Sequence, residues 1–267
     1  MSIFESIFLG FIQGATEFIP VSSSGHLILG RFFLGRELSG TIAFDAILQL
    51  ATILAVFVYF HKDILNLFKT FFNILKRKEN KKEDLILFQA ILIGTIPALF
   101  FGLILEGPMD TFFRNIYVVL FGLFLGTVVM YFADKNKKED KELDIKRGFK
   151  IGFFQALALI PGVSRSGATI SGGLFLGLSR ELATRFSFLL ALPIITGSGL
   201  KKLFDLFKEG GGYLDFNLFI SALTAFVVGL VAIHFLISFL KKNSLKIFIY
   251  YRILLISVIL IFIIMRG

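Results

Sequence analysis

Two short segments hold most of the residues in this chain that could do chemistry. The first runs Gln13-Gly14-Ala15-Thr16-Glu17-Phe18-Ile19-Pro20-Val21-Ser22-Ser23-Ser24-Gly25-His26, and the second Pro161-Gly162-Val163-Ser164-Arg165-Ser166-Gly167-Ala168-Thr169. Gln13 and Glu17 stand four positions apart, so a helix turns both to one face. Glu17 sits against Phe18, Ile19 and Pro20, where a carboxylate needs a cation, a proton or several donors to offset its desolvation. It reads as a metal ligand or proton handler. Ser22, Ser23, Ser24 and Gly25 form a turn that can aim backbone N–H groups inward at an anion. A helix starting near Gly25 adds the positive end of its dipole. His26 lies in these polar surroundings and suits a nucleophile or general base. His61 and His234 read instead as interfacial and helix-packing residues.

In the second segment, Ser164 and Ser166 flank Arg165, and Gly167 and Thr169 follow. The planar guanidinium suits a phosphate or carboxylate. The alternative is a structural ion pair between Arg165 and Glu17, which would equally bring the two segments together. Carboxylate, imidazole, hydroxyls, backbone donors and guanidinium can hold a divalent cation beside an anionic oxygen, the combination phosphoryl transfer requires. The spacings alone specify a polar site that handles an anion.

The elements that must position these residues are membrane helices. Of 267 residues, 56% are hydrophobic and 18% charged, against roughly 45–50% and about 25% in soluble domains. The mean hydropathy is +0.83. Leu85–Leu105, Asn115–Ala133 and Phe216–Leu240 contain no charged residue; about 20 apolar residues cross a bilayer core. Six runs are long enough to span: Thr41–Phe60, Leu85–Leu105, Phe112–Phe132, Leu182–Leu200, Phe216–Leu240 and Lys246–Met265. Asp45, Gln49 and Arg185 are polar exceptions within them. Ile3–Gly30 and Phe149–Gly177 are apolar but broken by a proline and a Gly/Ser cluster, so each reads as a re-entrant helix–loop–helix. No cleavable leader is expected, because Met1–Pro20 lacks a basic start and carries Glu5 and Glu17. The absence of cysteine excludes disulfides and thiol chemistry. The net charge of +9 does not imply nucleic acid, because the lysines lie mostly in short loops between spans.

Charge also orients the chain. His61–Asp84 carries seven Lys/Arg, Asp134–Arg147 six and Lys241–Lys246 three, which places these loops in the cytoplasm. Glu106–Thr111 and the Lys201–Asp215 connection then fall outside. An internal repeat agrees with this layout. Gly10-Phe11-Ile12-Gln13 matches Gly152-Phe153-Phe154-Gln155 at three of four positions, and the same offset of 142 aligns Val21, Ser22, Ser24 and Gly25 with Val163, Ser164, Ser166 and Gly167. The expected organisation is one all-α membrane domain. It comprises a first copy of about 1–133, a loop of about 134–147 and a second copy of about 148–267, inverted across the membrane.

On the two quoted segments, with Phe44-Asp45-Ala46-Ile47-Leu48-Gln49-Leu50 and Arg185-Phe186-Ser187-Phe188-Leu189-Leu190, the chain resembles the undecaprenyl-diphosphate phosphatases of bacterial inner membranes. The resemblance implies removal of the terminal phosphate from a C55 polyprenyl diphosphate, recycling the carrier of peptidoglycan synthesis. It also implies bacitracin resistance, a divalent cation (Mg²⁺ or Ca²⁺) and a site facing the periplasm. It assigns Glu17 a catalytic or metal-associated role and places Ser23 and His26 in the active site, with the nucleophile left open. Ser164 and Arg165 would contact the diphosphate, with Ser22, Ser24, Gly25, Ser166, Gly167 and Thr169 around it. Many members have Glu where this chain has Gln13, whose amide oxygen can ligate a metal but brings no charge. Membrane lipids are the expected surroundings, and a homodimer is compatible with the sequence. An inverted-repeat transporter or flippase of a lipid or anionic solute is the alternative reading.

Overall fold

Proline and glycine divide the hydrophobic segments into helices whose ends carry the polar residues. The computed structural model describes residues 1–35, 42–111, 115–135, 141–208 and 215–266. Thr41 and Phe112, the expected starts of two spans, lie outside them, as do parts of the 134–147 loop and the Lys201–Asp215 connection. Among the described residues all regular structure is helical. Helix α1 (Ile3–Phe18) begins with a Ser2/Glu5 capping box and stops where Pro20 forbids a further helical turn. Helix α2 (Ser23–Phe33) resumes at once. The second half repeats this: α7 (Ile145–Leu157) ends before Pro161, and α8 (Arg165–Phe175) follows.

The remaining helices are α3 (Ile42–Tyr59), α4 (His61–Leu75), α5 (Lys82–Thr111), α6 (Ile116–Lys135), α9 (Arg180–Lys208), α10 (Phe216–Leu240) and α11 (Lys246–Arg266). Lys82–Leu105, Ile116–Lys135, Arg180–Asp205 and Phe216–Leu240 are long and apolar enough to cross a bilayer, and α3 with α4 would make a fifth, bent by 84°. The protein is therefore a polytopic helical membrane protein. Outward-facing Phe100, Phe121, Phe124, Phe219 and Val231 are exposed, as a lipid-facing surface requires. The structure differs from the sequence reading at His61–Asp84, where His61–Leu75 is helix α4 and not loop. Its apolar residues fall on one side, where Leu65, Phe68 and Phe72 are exposed. Lys62, Asn66 and Lys69 fall on another, so the helix is amphipathic. Lysine counts alone cannot tell such a helix from a loop.

Close backbone contact joins the two halves crosswise. Helix α1 packs on α10, α7 on α5, and α3 on both α9 and α10. A Cβ on Gly14 would lie 2.6 Å from the Ala225 carbonyl oxygen, and one on Gly94 2.7 Å from that of Gly148. Small residues let helices approach this closely where lipid supplies no hydrophobic drive. Phe18 and Phe188 meet edge to face at 5.3 Å beneath the breaks. Gly14→Val should overpack the α1–α10 contact and lower stability by about 1–3 kcal/mol, read as an earlier thermal unfolding midpoint in detergent. Gly102→Ala is the control, because its new methyl would meet only Leu159, at 3.9 Å, and it should cause no loss.

Candidate active site

Each broken hairpin delivers its polar residues by the same local geometry. Ser22 and Ser164 have positive φ, at 76° and 74°, a conformation non-glycine residues keep only where surroundings hold them. The Ser22 hydroxyl accepts the Gly25 N–H (3.4 Å) and meets Ser24 Oγ at 3.2 Å. The Ser164 hydroxyl accepts the Gly167 N–H (3.2 Å) and meets Ser166 Oγ at 3.2 Å. The serines thus cap α2 and α8. The N–H groups of Gly25 and Gly167 are engaged there.

The two loops meet. The Gly162 N–H donates to Ser24 Oγ at 3.4 Å. Beneath them lies Arg252 of α11, fully buried. Its Nη2 donates to the carbonyls of Gly162 (2.9 Å) and Leu123 (2.8 Å), Nη1 to Pro20 (3.5 Å), and Nε to Thr127 Oγ1 (2.9 Å). One cation therefore satisfies carbonyls that both breaks leave without helical partners. Sequence reasoning missed Arg252, which lies in an expected span with no polar motif around it. A long buried arginine in such a span was the available signal.

Glu17 and Arg165 come together at the end of α1 and the start of α8. Arg165 Nη2 donates to Glu17 Oε1 at 3.2 Å, with side-chain exposures of 13% and 5%. Glu17 Oε2 accepts from Ser23 Oγ (2.7 Å) and Gln13 Nε2 (3.0 Å). Arg165 Nη1 donates to the Ser187 carbonyl at 3.3 Å. Thr169 Oγ1 bonds the Arg165 carbonyl (2.8 Å) and Ser187 Oγ (2.5 Å), behind the guanidinium. The Ser23 hydroxyl is therefore polarised by a carboxylate that a guanidinium holds in place, a nucleophile–base–orienter relation.

His26 points elsewhere. Its Nδ1 lies 2.8 Å from the Ser22 carbonyl and its Nε2 2.6 Å from Tyr251 Oη, the rings stacked at 5.6 Å. The carbonyl can only accept, so Nδ1 carries the proton and Tyr251 donates to Nε2. Both ring nitrogens are occupied. Of the other polar exceptions, Asp45 pairs with Arg31 of α2, Arg185 pairs with Asp63 of α4, and Gln49 faces the cavity.

A cavity of about 720 Å³ opens onto this centre, lined by Glu17, Ser22, Ser23, Ser24, Ser164 and Arg165. His26, Ser166, Gly167 and Thr169 are not among its lining residues. Its other walls are apolar, from Ala98, Leu99 and Leu103 of α5, Leu159 and Ile160, and Pro193 and Ile194 of α9; Lys201 and Lys202 line it further along α9. Pro193 to Lys202 covers about 14 Å of helix. The cavity is thus long and mostly apolar, with the Glu17–Arg165 centre at one place and two lysines further along α9.

Fold and site define the class: a polytopic membrane protein with a charged, serine-rich centre where two broken hairpins meet and an apolar groove leading from it. Residues 6–258 match the family model described as bacitracin resistance protein BacA. An undecaprenyl-diphosphatase from Caldicellulosiruptor bescii is 41% identical over the whole length of both chains. Those from Thermobifida fusca, at 42% over 96% of this chain and 88% of its own, and Mycobacterium ulcerans, at 41% over 98% and 96%, are similar. The chain belongs to the BacA family of bacitracin resistance proteins.

Removing one member of a buried ion pair strands the other's charge, at about 3–5 kcal/mol. Arg165→Ala should therefore unfold more readily than the double variant Glu17→Gln/Arg165→Ala. A double-mutant cycle on thermal unfolding that returned no coupling would mean the two charges do not support each other.

Proposed function

We propose that this protein hydrolyses undecaprenyl diphosphate to undecaprenyl phosphate and inorganic phosphate in the bacterial inner membrane, returning the lipid carrier to cell-wall synthesis. The observation that carries the assignment is the approach of Glu17, Ser23 and Arg165 from two separate hairpins at one end of an apolar cavity, in a chain whose relatives are undecaprenyl-diphosphatases. The prenyl tail stays against apolar walls, which avoids about 0.8 kcal/mol for each CH₂ otherwise drawn into water. The diphosphate reaches Arg165, whose fork suits phosphate oxygens.

In the mechanism we favour, Ser23 Oγ gives its proton to Glu17 and attacks the terminal phosphorus. The bond from that phosphorus to the bridging oxygen breaks, and prenyl monophosphate leaves with the electron pair. Glu17 passes that proton to the departing phosphate. Water then attacks the phosphoserine, giving one proton to Glu17, and the bond from Ser23 Oγ to phosphorus breaks. Ser23 recovers its proton from Glu17, and inorganic phosphate leaves with water's other proton. Arg165 and the hydroxyls of Ser22, Ser24 and Ser164 hold the phosphate oxygens and counter the charge that builds on them. His26, bound to the Ser22 carbonyl, supports the serine loop. The residues suit a divalent cation: Gln13 Oε1 is buried and without a partner beside Glu17. Gln13 and Glu17 would hold Mg²⁺ or Ca²⁺, which would offset negative charge on the diphosphate.

The arrangement we favour in the membrane is two inverted copies with six spans and two re-entrant hairpins. The matching caps and φ values at Ser22 and Ser164 support it. So does charge. The start of α9 lies beside the lysine-rich ends, through Arg180–Asp134 and Glu181–Lys241. The cavity lies along the other end of α9, toward Lys202, and so opens to the outer side.

Phosphate released by purified protein from a polyprenyl diphosphate, with no transmembrane gradient, tests the reaction; a transporter would release none. Ser23→Ala and Arg165→Ala should each lower turnover by about a hundredfold or more, whereas His26→Ala should retain more than Ser23→Ala. Near-normal turnover in folded Ser23→Ala would remove serine as the nucleophile. The chain lacks cysteine, so single replacements report topology without background. A membrane-impermeant maleimide on spheroplasts should label Lys202→Cys and spare Lys241→Cys.

A further inference from the structure

Gln155 closes α7, one turn before the break that leads to Ser164 and Arg165. It lines the cavity and is 2% exposed. Neither its Nε2 nor its Oε1 has a hydrogen-bond partner. A buried amide with both ends unmet is costly, and native structures keep such groups where water, an ion or a ligand answers them.

The other half of the molecule shows what Gln155 has lost. Its counterpart across the offset of 142 is Gln13, whose Nε2 donates to Glu17 one turn further on, at 3.0 Å. The same offset carried from Glu17 arrives at Leu159. The second hairpin thus keeps the amide and replaces its carboxylate partner with an apolar side chain. An amide kept for packing alone would gain from becoming apolar as well. Arg165, which lines the same cavity, also has an N–H to spare: its Nε is buried and without an acceptor. Unused donors on two side chains of one cavity call for an oxygen-rich anion. The free Oε1 adds an acceptor for a protonated phosphate oxygen or for water carried with the head group.

Resting on the hydrolase reading, we infer that Gln155 is a direct contact for the diphosphate head group, donating from Nε2 to a phosphate oxygen in concert with Arg165. It is a binding residue and takes no part in proton transfer. The second hairpin thus leaves its amide free to donate, where the first commits its amide to a carboxylate. An anion could not settle between two carboxylates, so loss of the second one suits the asymmetric task of the pair.

The experiment compares wild type with Gln155→Met, which keeps the volume and removes the amide, using the full chain in detergent. KM for farnesyl diphosphate and the inhibition constant of inorganic pyrophosphate should both rise about tenfold or more, as expected for a lost hydrogen bond to a charged group. The thermal midpoint without ligand should hold or rise, because no unmet amide remains. Unchanged KM and inhibition constant would overturn the inference and leave the hydrolase reading intact. A lower midpoint with KM preserved would also overturn it, marking the amide as structural or answered by buried water. Should Gln155→Met fail to fold, Gln155→Asn, which withdraws the amide by one methylene, is read in the same way. Should wild type release no phosphate, the hydrolase reading falls. The pyrophosphate-induced rise in thermal midpoint, present in wild type and lost in the variant, then decides Gln155 alone.

Discussion

A carboxylate and a guanidinium taken out of water together constrain everything around them. Each alone would carry a desolvation penalty of several kcal/mol, and their attraction offsets it only with good geometry and further hydrogen bonds. Glu17 has those bonds from Ser23 and Gln13, and Arg165 has one to the Ser187 carbonyl. The pair is drawn from opposite halves of the chain, so the helices must cross in a way that brings the end of α1 to the start of α8. Glycines at the α1–α10 and α5–α7 contacts make that crossing close enough.

The second constraint is backbone. Ending α1 and α7 and starting α2 and α8 at the two buried breaks leaves N–H and C=O groups without helical partners. The protein answers the N–H side with serine caps on α2 and α8, and part of the C=O side with Arg252. Arg252 therefore ties the two loops through groups that have no chemistry of their own. Its charge is stabilised by carbonyl dipoles and the Thr127 hydroxyl, and it adds positive field beneath a centre suited to anions.

The cavity combines these constraints with lipid. Its charged centre is small, while its walls along α5 and the Pro193–Ile195 stretch of α9 are mostly apolar. A molecule with a charged head and a long hydrocarbon tail fits both parts at once. A fully polar solute would leave most of the wall unsatisfied, and a plain lipid would leave the donors unused.

The positions of the breaks and the apolar stretches were legible in the sequence because they are local. Pro20 and Pro161 each lead straight into a Gly/Ser cluster, whereas Pro97 and Pro193 run on into Ala98-Leu99 and Ile194-Ile195 and lie inside α5 and α9. Hydropathy reports surroundings residue by residue. That Ser22 and Ser164 cap the following helices emerged only from the structure. The convergence of Glu17 with Arg165 was readable too, since neither charge could stay buried alone. Only the tertiary structure decided which partner each remaining polar group would find. Arg252 reaches Pro20 and Gly162, the His26 ring turns to Tyr251, and Gln155 is left with none. The helix α4 belongs with these, since a mixed apolar and basic run becomes helix or loop according to the surface that receives it. Such partnerships join residues far apart in the chain, and the free energy that selects them exists only once the helices have packed.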